Sequence, residues 1–152
     1  MYRLFRIISN LVHNAEKSYH GCTLVIDLEK SPLEIPGQKF DHPLDLSQND
    51  LLSLAGSFSA VDGALHIDAD CHLRAFSCLL DGRSILGEDL ARGARYNSAL
   101  RFSKEHDGVI VVVVSSDRPV SVFRRGIEMN GQCVWRAPKS CIFRPVLLNE
   151  WL

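Results

Sequence analysis

Val109-Ile-Val-Val-Val-Val114, followed by Ser115-Ser-Asp117, is the stretch that decides the fold. Six consecutive β-branched residues without polar alternation read as a central strand buried on both faces, so helices must cover the sheet above and below. Immediately upstream, Ala94 to His106 reads as a helix with Ala94, Ala99 and Phe102 on or near one face. Asp107-Gly108 closes it, glycine taking the left-handed conformation at the helix end. Downstream, Val120 to Phe123 is expected to pair beside the central strand.

Further out, Ala64 to Ile67 and His72 to Leu80 are strand candidates joined by a turn at Asp68-Ala-Asp70. Ser47-Gln-Asn-Asp50 reads as an N-cap with an acidic residue at the third helical position. It opens a short helix over Leu51, Leu52, Leu54, Ala55 and Phe58 that ends near Gly56 or Phe58. Pro32, Pro36, Gly37 and Pro43 mark an irregular loop, since proline has no amide hydrogen to give a helix or ladder. Cys22 to Leu28 is a second strand buried on both faces. Before it, Leu4, Ile7, Ile8, Leu11 and Val12 recur at the spacing of an amphipathic helix from Tyr2 to Lys17, which Gly21 interrupts. Near the C-terminus, Cys133-Val-Trp135 and Cys141-Ile-Phe143 read as edge strands or packing segments, and Leu147, Leu148, Trp151 and Leu152 as an end that docks on the core or meets a partner. The expected fold class is α/β, a mixed central β-sheet flanked by helices, in one domain spanning residues 1–152.

Composition narrows the function. At 152 residues with 46% apolar and 23% charged residues, the chain suits one globular domain with one core. The formal net charge is -1, so no large field attracts nucleic acid or an anionic membrane, and an anionic ligand has to be held by a local site. The apolar run Val109 to Val114 is far too short to span a bilayer, and Arg3 and Arg6 interrupt the apolar N-terminus, which argues against a signal peptide. Cys22, Cys71, Cys78, Cys133 and Cys141 are odd in number and contain no C-x-x-C pair, which points to buried structural thiols in a reducing cytoplasm.

Three polar clusters stand at element boundaries: Asp62-Gly-Ala64, Gly93-Ala-Arg-Tyr-Asn-Ser-Ala99 and Ser115-Ser-Asp117. A helix start with free amide hydrogens and an arginine suits phosphate, and carboxylates at strand ends suit the accompanying divalent ion. Together they describe a nucleotide-phosphate site.

The order and spacing of these clusters resemble the diadenylate-cyclase domain, in which D-G-A opens a strand, G-T-R-H-R-A-A opens a helix and V-S-E-E follows the next apolar strand. The resemblance runs over roughly Leu4 to Gly126. It implies that Asp62 holds a catalytic Mg²⁺ or Mn²⁺ and helps activate a ribose 3′ hydroxyl, while Gly63 and Ala64 let the backbone approach the nucleotide. It further implies that Arg95 and Ser115 contact phosphates, that Asp117 replaces a family glutamate at the metal, and that Leu79 or Leu80 touches adenine. Gly93, Ala94, Tyr96, Asn97 and Ser116 complete the implied nucleotide-binding set. The implied reaction condenses two ATP, held face to face across two protomers, to cyclic di-AMP and pyrophosphate, and therefore needs at least a dimer. The alternative is a catalytically inactive module that senses a nucleotide or cyclic dinucleotide in a signalling or defence system.

The second cluster departs from the family pattern. Ala94, Tyr96 and Asn97 stand where the family has threonine, histidine and a second arginine, removing a hydroxyl, an imidazole and a positive charge. Each lost charge-assisted contact costs about 1.5–3 kcal/mol, enough to slow turnover about ten- to a hundredfold while leaving binding. Other chemistry is less well supported. A metal site at His66, Cys71 and His72 needs a folded hairpin, and surface or hairpin side chains are the simpler reading. Ser115 lacks the glycines of a nucleophile elbow, and Arg124-Arg125 reads as a solvated strand end.

Overall fold

The computed structural model describes residues 2–129. The segments expected to pack or pair at Cys133-Val-Trp135 and Cys141-Ile-Phe143, and the apolar end, lie outside the described residues. In chain order the elements are α1 (Tyr2–Lys17), β1 (Cys22–Asp27), β2 (Gln38–Asp45), α2 (Asn49–Phe58), β3 (Ala64–Asp68), β4 (His72–Cys78), a 3₁₀ turn (Leu90–Arg92), α3 (Ala94–Glu105), β5 (Val109–Val114), β6 (Ser121–Arg124) and β7 (Ile127–Glu128).

The strands form one mixed sheet in the order β2-β4-β3-β1-β5-β6-β7. β1 runs parallel to β3 and antiparallel to β5, with Cys22 opposite Val114 and Asp27 opposite Val109. Alternate residues of the two apolar strands feed opposite cores. Leu24, Ile26, Val112 and Val114 join Ile7, Leu11 and Ala55 under α1 and α2, whereas Val25, Val111 and Val113 join Ala99 and Phe102 of α3. This two-sided burial is why neither strand shows polar alternation, and each fully buried Val, Leu or Ile contributes roughly 1.5–3 kcal/mol.

Several expectations are corrected. The stretch with Pro43 is not all loop, because Pro43 lies in β2. β2 is the sheet's edge, and its register with β4 is irregular between Lys39 and Leu44, so a missing amide leaves no regular ladder bond unmade. Its Phe40 packs 5.7 Å from Phe58 and 5.5 Å from Phe76. The α2 N-cap is Gln48 without a side-chain cap bond, since the Ser47 hydroxyl donates to Asp45 instead. Gly108 is not left-handed. α3 ends at His106 in an extended conformation, and the glycine gives room to the Glu29 side chain. β7 follows an Arg125-Gly126 turn with positive φ at both residues, a feature the short Ile127–Glu128 pattern does not announce.

Cys22, Cys71 and Cys78 are buried free thiols. Burial pushes Cys22 and Cys78 up to about 11, so they stay protonated and inert at neutral pH. His66 is a buried core residue rather than a hairpin side chain, its Nε2 lying 3.0 Å from Asp27 Oδ2. Among the described residues no cluster of three or more metal-ligating side chains occurs, and no helix is long and apolar enough to cross a membrane.

Candidate functional site

The site lies where β1 and β3 begin, β4 and β5 end and α3 starts. That geometry follows from the pairing. The antiparallel β1–β5 register sets Ser115 beside the entry to β1, and the parallel β1–β3 register sets Asp62 and Gly63 at the same end. Two cavities open there. One, of about 460 Å³, includes Gly93, Tyr96, Ser115, Ser116 and Asp117 in its lining. The other, of about 320 Å³, is lined by Thr23, Gly63, Ala64, Cys78, Leu79, Leu80 and Ser98. Asp62, Ala94 and Arg95 line both, so the cavities meet at the first turn of α3.

Twelve of the thirteen residues implied by the sequence therefore converge, although they come from four separate segments. The exception is Asn97. It is 5% exposed, and its Nδ2 donates to the carbonyls of Asp89 and Gly93 at 3.1 Å each, tying the 3₁₀ turn to α3. Its expected place beside a ligand is corrected: the side chain turns into the protein, where it adds a second donor to two carbonyls that already accept the backbone N–H groups of Arg92 and Asn97.

Gly93 opens α3 at φ 93°, ψ 164°, and no side chain caps the helix. A positive φ of that kind is the province of glycine, and it leaves the first-turn amides aimed past the helix end, where the dipole favours an anion. Arg95, in that first turn, reaches back over the sheet end. A Cβ on Gly21 would sit 2.6 Å from Arg95 Nη1, so the glycine before β1 makes room for the guanidinium. Arg95 Nη2 lies 3.4 Å from Asp62 Oδ1, and the Asp62 side chain is 99% exposed. This weak, open pair leaves both groups available to a ligand.

On the facing loop the Ser115 hydroxyl donates to Asp117 Oδ1 at 2.6 Å, which holds the Asp117 carboxyl below the usual carboxylate range. Two carboxylates with a hydroxyl beside one of them offer hard oxygen donors of the kind Mg²⁺ or Mn²⁺ takes together with ligand phosphates. Gly63, at φ 102°, has a reason of its own: a Cβ there would lie 2.6 Å from the Ser77 carbonyl carbon, so its bareness serves the crossing of β3 and β4.

Tyr96 faces the first cavity but is engaged by the protein. Its hydroxyl donates to Glu128 Oε2 at 2.7 Å, its ring meets Phe123 edge-on, and burial followed by the Glu128 contact raises its pKa. Sequence reasoning missed Gly21, Thr23, Arg92 and Arg118 as lining residues, and it gave Ser98 only as a member of the second cluster. Arg118 Nη2 donates to the Ala91 carbonyl at 3.3 Å and joins Arg92 and Arg95 in the first cavity. The only sequence signal for these arginines was their adjacency to the second and third clusters.

Among solved structures, the chain is similar to a hypothetical membrane spanning protein from Bacillus cereus, with TM-score 0.67 and 19% identity, over 81% of this chain and 60% of that one. It is also similar to DacA from Staphylococcus aureus, with TM-score 0.66 and 20% identity, over 84% of this chain and 85% of that one. At such identities these likenesses speak for the fold. No curated protein matches. The family described as "DAC: DisA bacterial checkpoint controller nucleotide-binding" matches residues 10–127, most of the chain and all three polar clusters. The chain therefore belongs to the DAC family of nucleotide-binding domains.

Proposed function

We propose that this chain binds ATP where the two cavities meet and, as a dimer, condenses two ATP to cyclic di-AMP with release of pyrophosphate. The carrying observation is that one apolar-lined and one arginine-lined cavity share Asp62, Ala94 and Arg95 at an uncapped helix start. Adenine occupies the smaller cavity between Leu79, Leu80, Ala64 and Thr23, where apolar walls take a base and few polar atoms orient it. The phosphates lie in the larger cavity against Arg95, the α3 amides and Ser115. Gly93 and Ala94 leave the backbone uncovered for close approach, and Ser116 lies beside the phosphate chain.

Each 3′ hydroxyl attacks the α-phosphate of the ATP on the partner protomer. An O–P bond forms, the bond to pyrophosphate breaks, and the hydroxyl proton passes to the Asp62 carboxylate. Asp62 and Asp117 would hold the divalent ion, Mg²⁺ or Mn²⁺, which when bound would supply Lewis-acid stabilisation of charge on the phosphates. Arg95 stabilises the growing negative charge, and the opposed protomers bring hydroxyl and phosphorus together.

A second reading, a binding module without turnover, is favoured by the engagement of Tyr96 with Glu128 and of Asn97 with Asp89 and Gly93, which commits both side chains to the protein instead of to a phosphate. Incubating the full chain with ATP and Mn²⁺ and resolving products by mass tests both. Cyclic di-AMP in excess of a metal-free control is the expected result. Saturable ATP binding with no product supports the module, and no ATP binding overturns both.

A further inference from the structure

We infer that Arg92 is a phosphate-binding residue of this site and supplies the positive charge that the start of α3 lacks at Asn97. The inference rests on the nucleotide reading above and extends it to a residue outside the three clusters. Arg92 ends the 3₁₀ turn immediately before Gly93 and lines the arginine-rich cavity with Arg95, Arg118 and Ser115. Its guanidinium carbon stands 4.2 Å from the centroid of the Tyr96 ring, and its Nη2 lies 3.2 Å from Glu128 Oε1. Stacking and the ion pair fix the fork in one orientation at the cavity wall, so little side-chain freedom remains to be lost when an anion arrives.

The fork is not saturated. A guanidinium carries five N–H donors, and Nε of Arg92 is buried without a partner, while the side chain as a whole is 35% exposed. Glu128 is shared, also accepting from the Tyr96 and Ser121 hydroxyls at 2.7 Å each, so its carboxylate only partly offsets the Arg92 charge. Polyphosphate oxygens in the cavity meet the exposed part of the fork, whereas the buried Nε lies out of a ligand's reach. Tyr96 then acts as a platform for Arg92, which gives a physical role to a tyrosine where the family pattern has histidine.

The test titrates the full chain calorimetrically with ATP, inorganic triphosphate and adenosine. Arg92→Ala is expected to weaken ATP and triphosphate by about tenfold or more, with adenosine unchanged, since adenosine carries no phosphate. Arg92→Lys is expected to regain part of that loss and Arg92→Gln none, because lysine keeps the charge without the planar fork. Equal ATP affinity for parent and Arg92→Ala overturns this inference alone. So does an equal loss for adenosine, which marks a merely structural role. If Arg92→Ala melts without cooperativity, the Lys and Gln variants decide, and equal ATP affinity in those two overturns the inference. A parent that binds neither ATP nor triphosphate overturns the nucleotide reading as well.

Discussion

Replacing Arg95 by alanine separates ligand binding from folding. Its side chain pairs with Asp62, 3.4 Å away and 99% exposed, and solvent screens such a pair almost completely. The guanidinium otherwise rests over Gly21, whose missing Cβ leaves nothing to collapse when the arginine is removed. Tm should therefore move by no more than about 2 °C. A guanidinium–phosphate contact, by contrast, is worth about 1.5–3 kcal/mol, so the Kd for ATP should rise roughly ten- to over a hundredfold. Calorimetric titration at fixed ionic strength, paired with a thermal melt of the same sample, measures both quantities. An Arg95→Ala protein that binds ATP as tightly as the parent refutes the placement of phosphate at the start of α3. A fall of many degrees in Tm instead refutes the claim that Arg95 is a ligand group rather than a structural one.

Gly21→Ala should mimic a mild form of that loss, because the new Cβ meets the flexible end of Arg95 at 2.6 Å and the Val114 carbonyl at 3.3 Å. ATP affinity falls several-fold with the fold retained, and unchanged affinity would show that Arg95 reaches phosphate from elsewhere. Asp62→Asn should leave Tm unaltered and abolish metal-dependent turnover, since asparagine loses the charge a hard cation prefers; the check is product formed at matched Mn²⁺. Asn97→Arg should destabilise by about 2 kcal/mol or more, or roughly 4 °C or more in Tm, because it removes two part-buried hydrogen bonds and forces a guanidinium inward. A stable, more active Asn97→Arg variant would mean that the turn before α3 repacks. At pH 8, Cys22 and Cys78 should resist alkylation in the native state. Burial lifts their folded pKa from 9.0 to about 11, which keeps the thiols protonated until pH rises well above 9. Rapid labelling of either, located by mass spectrometry of peptides, would contradict their burial.

Chemistry written in local pattern was legible from the chain. The run Val109 to Val114 announced a strand buried on both faces, because only a covered sheet removes the need for alternation, and the structure places Val111 and Val112 in opposite cores. The 3.6-residue recurrence of Leu4, Ile7, Ile8 and Leu11 likewise fixed α1 as Tyr2–Lys17. The three polar clusters were visible as boundary residues, and their order was enough to indicate one site. Edge position was not legible: Pro43 breaks a ladder in principle, and only the sheet order shows that β2 is an edge strand where the break is tolerated.

The chain by itself determined which residues are apolar, where helices and strands can start, and which polar groups sit at their ends, since these depend on neighbours within a few positions. Tertiary structure alone decided the direction of each side chain at the site. Tyr96 and Asn97 are adjacent in sequence, yet one stacks under Arg92 in the cavity wall and the other ties Asp89 to Gly93 in the interior. Arg92 and Glu128 are far apart in the chain and meet because β7 folds back beside β6. Such meetings are set by sheet register and by the need to satisfy buried polar groups, and both are properties of the packed molecule rather than of any local run of residues.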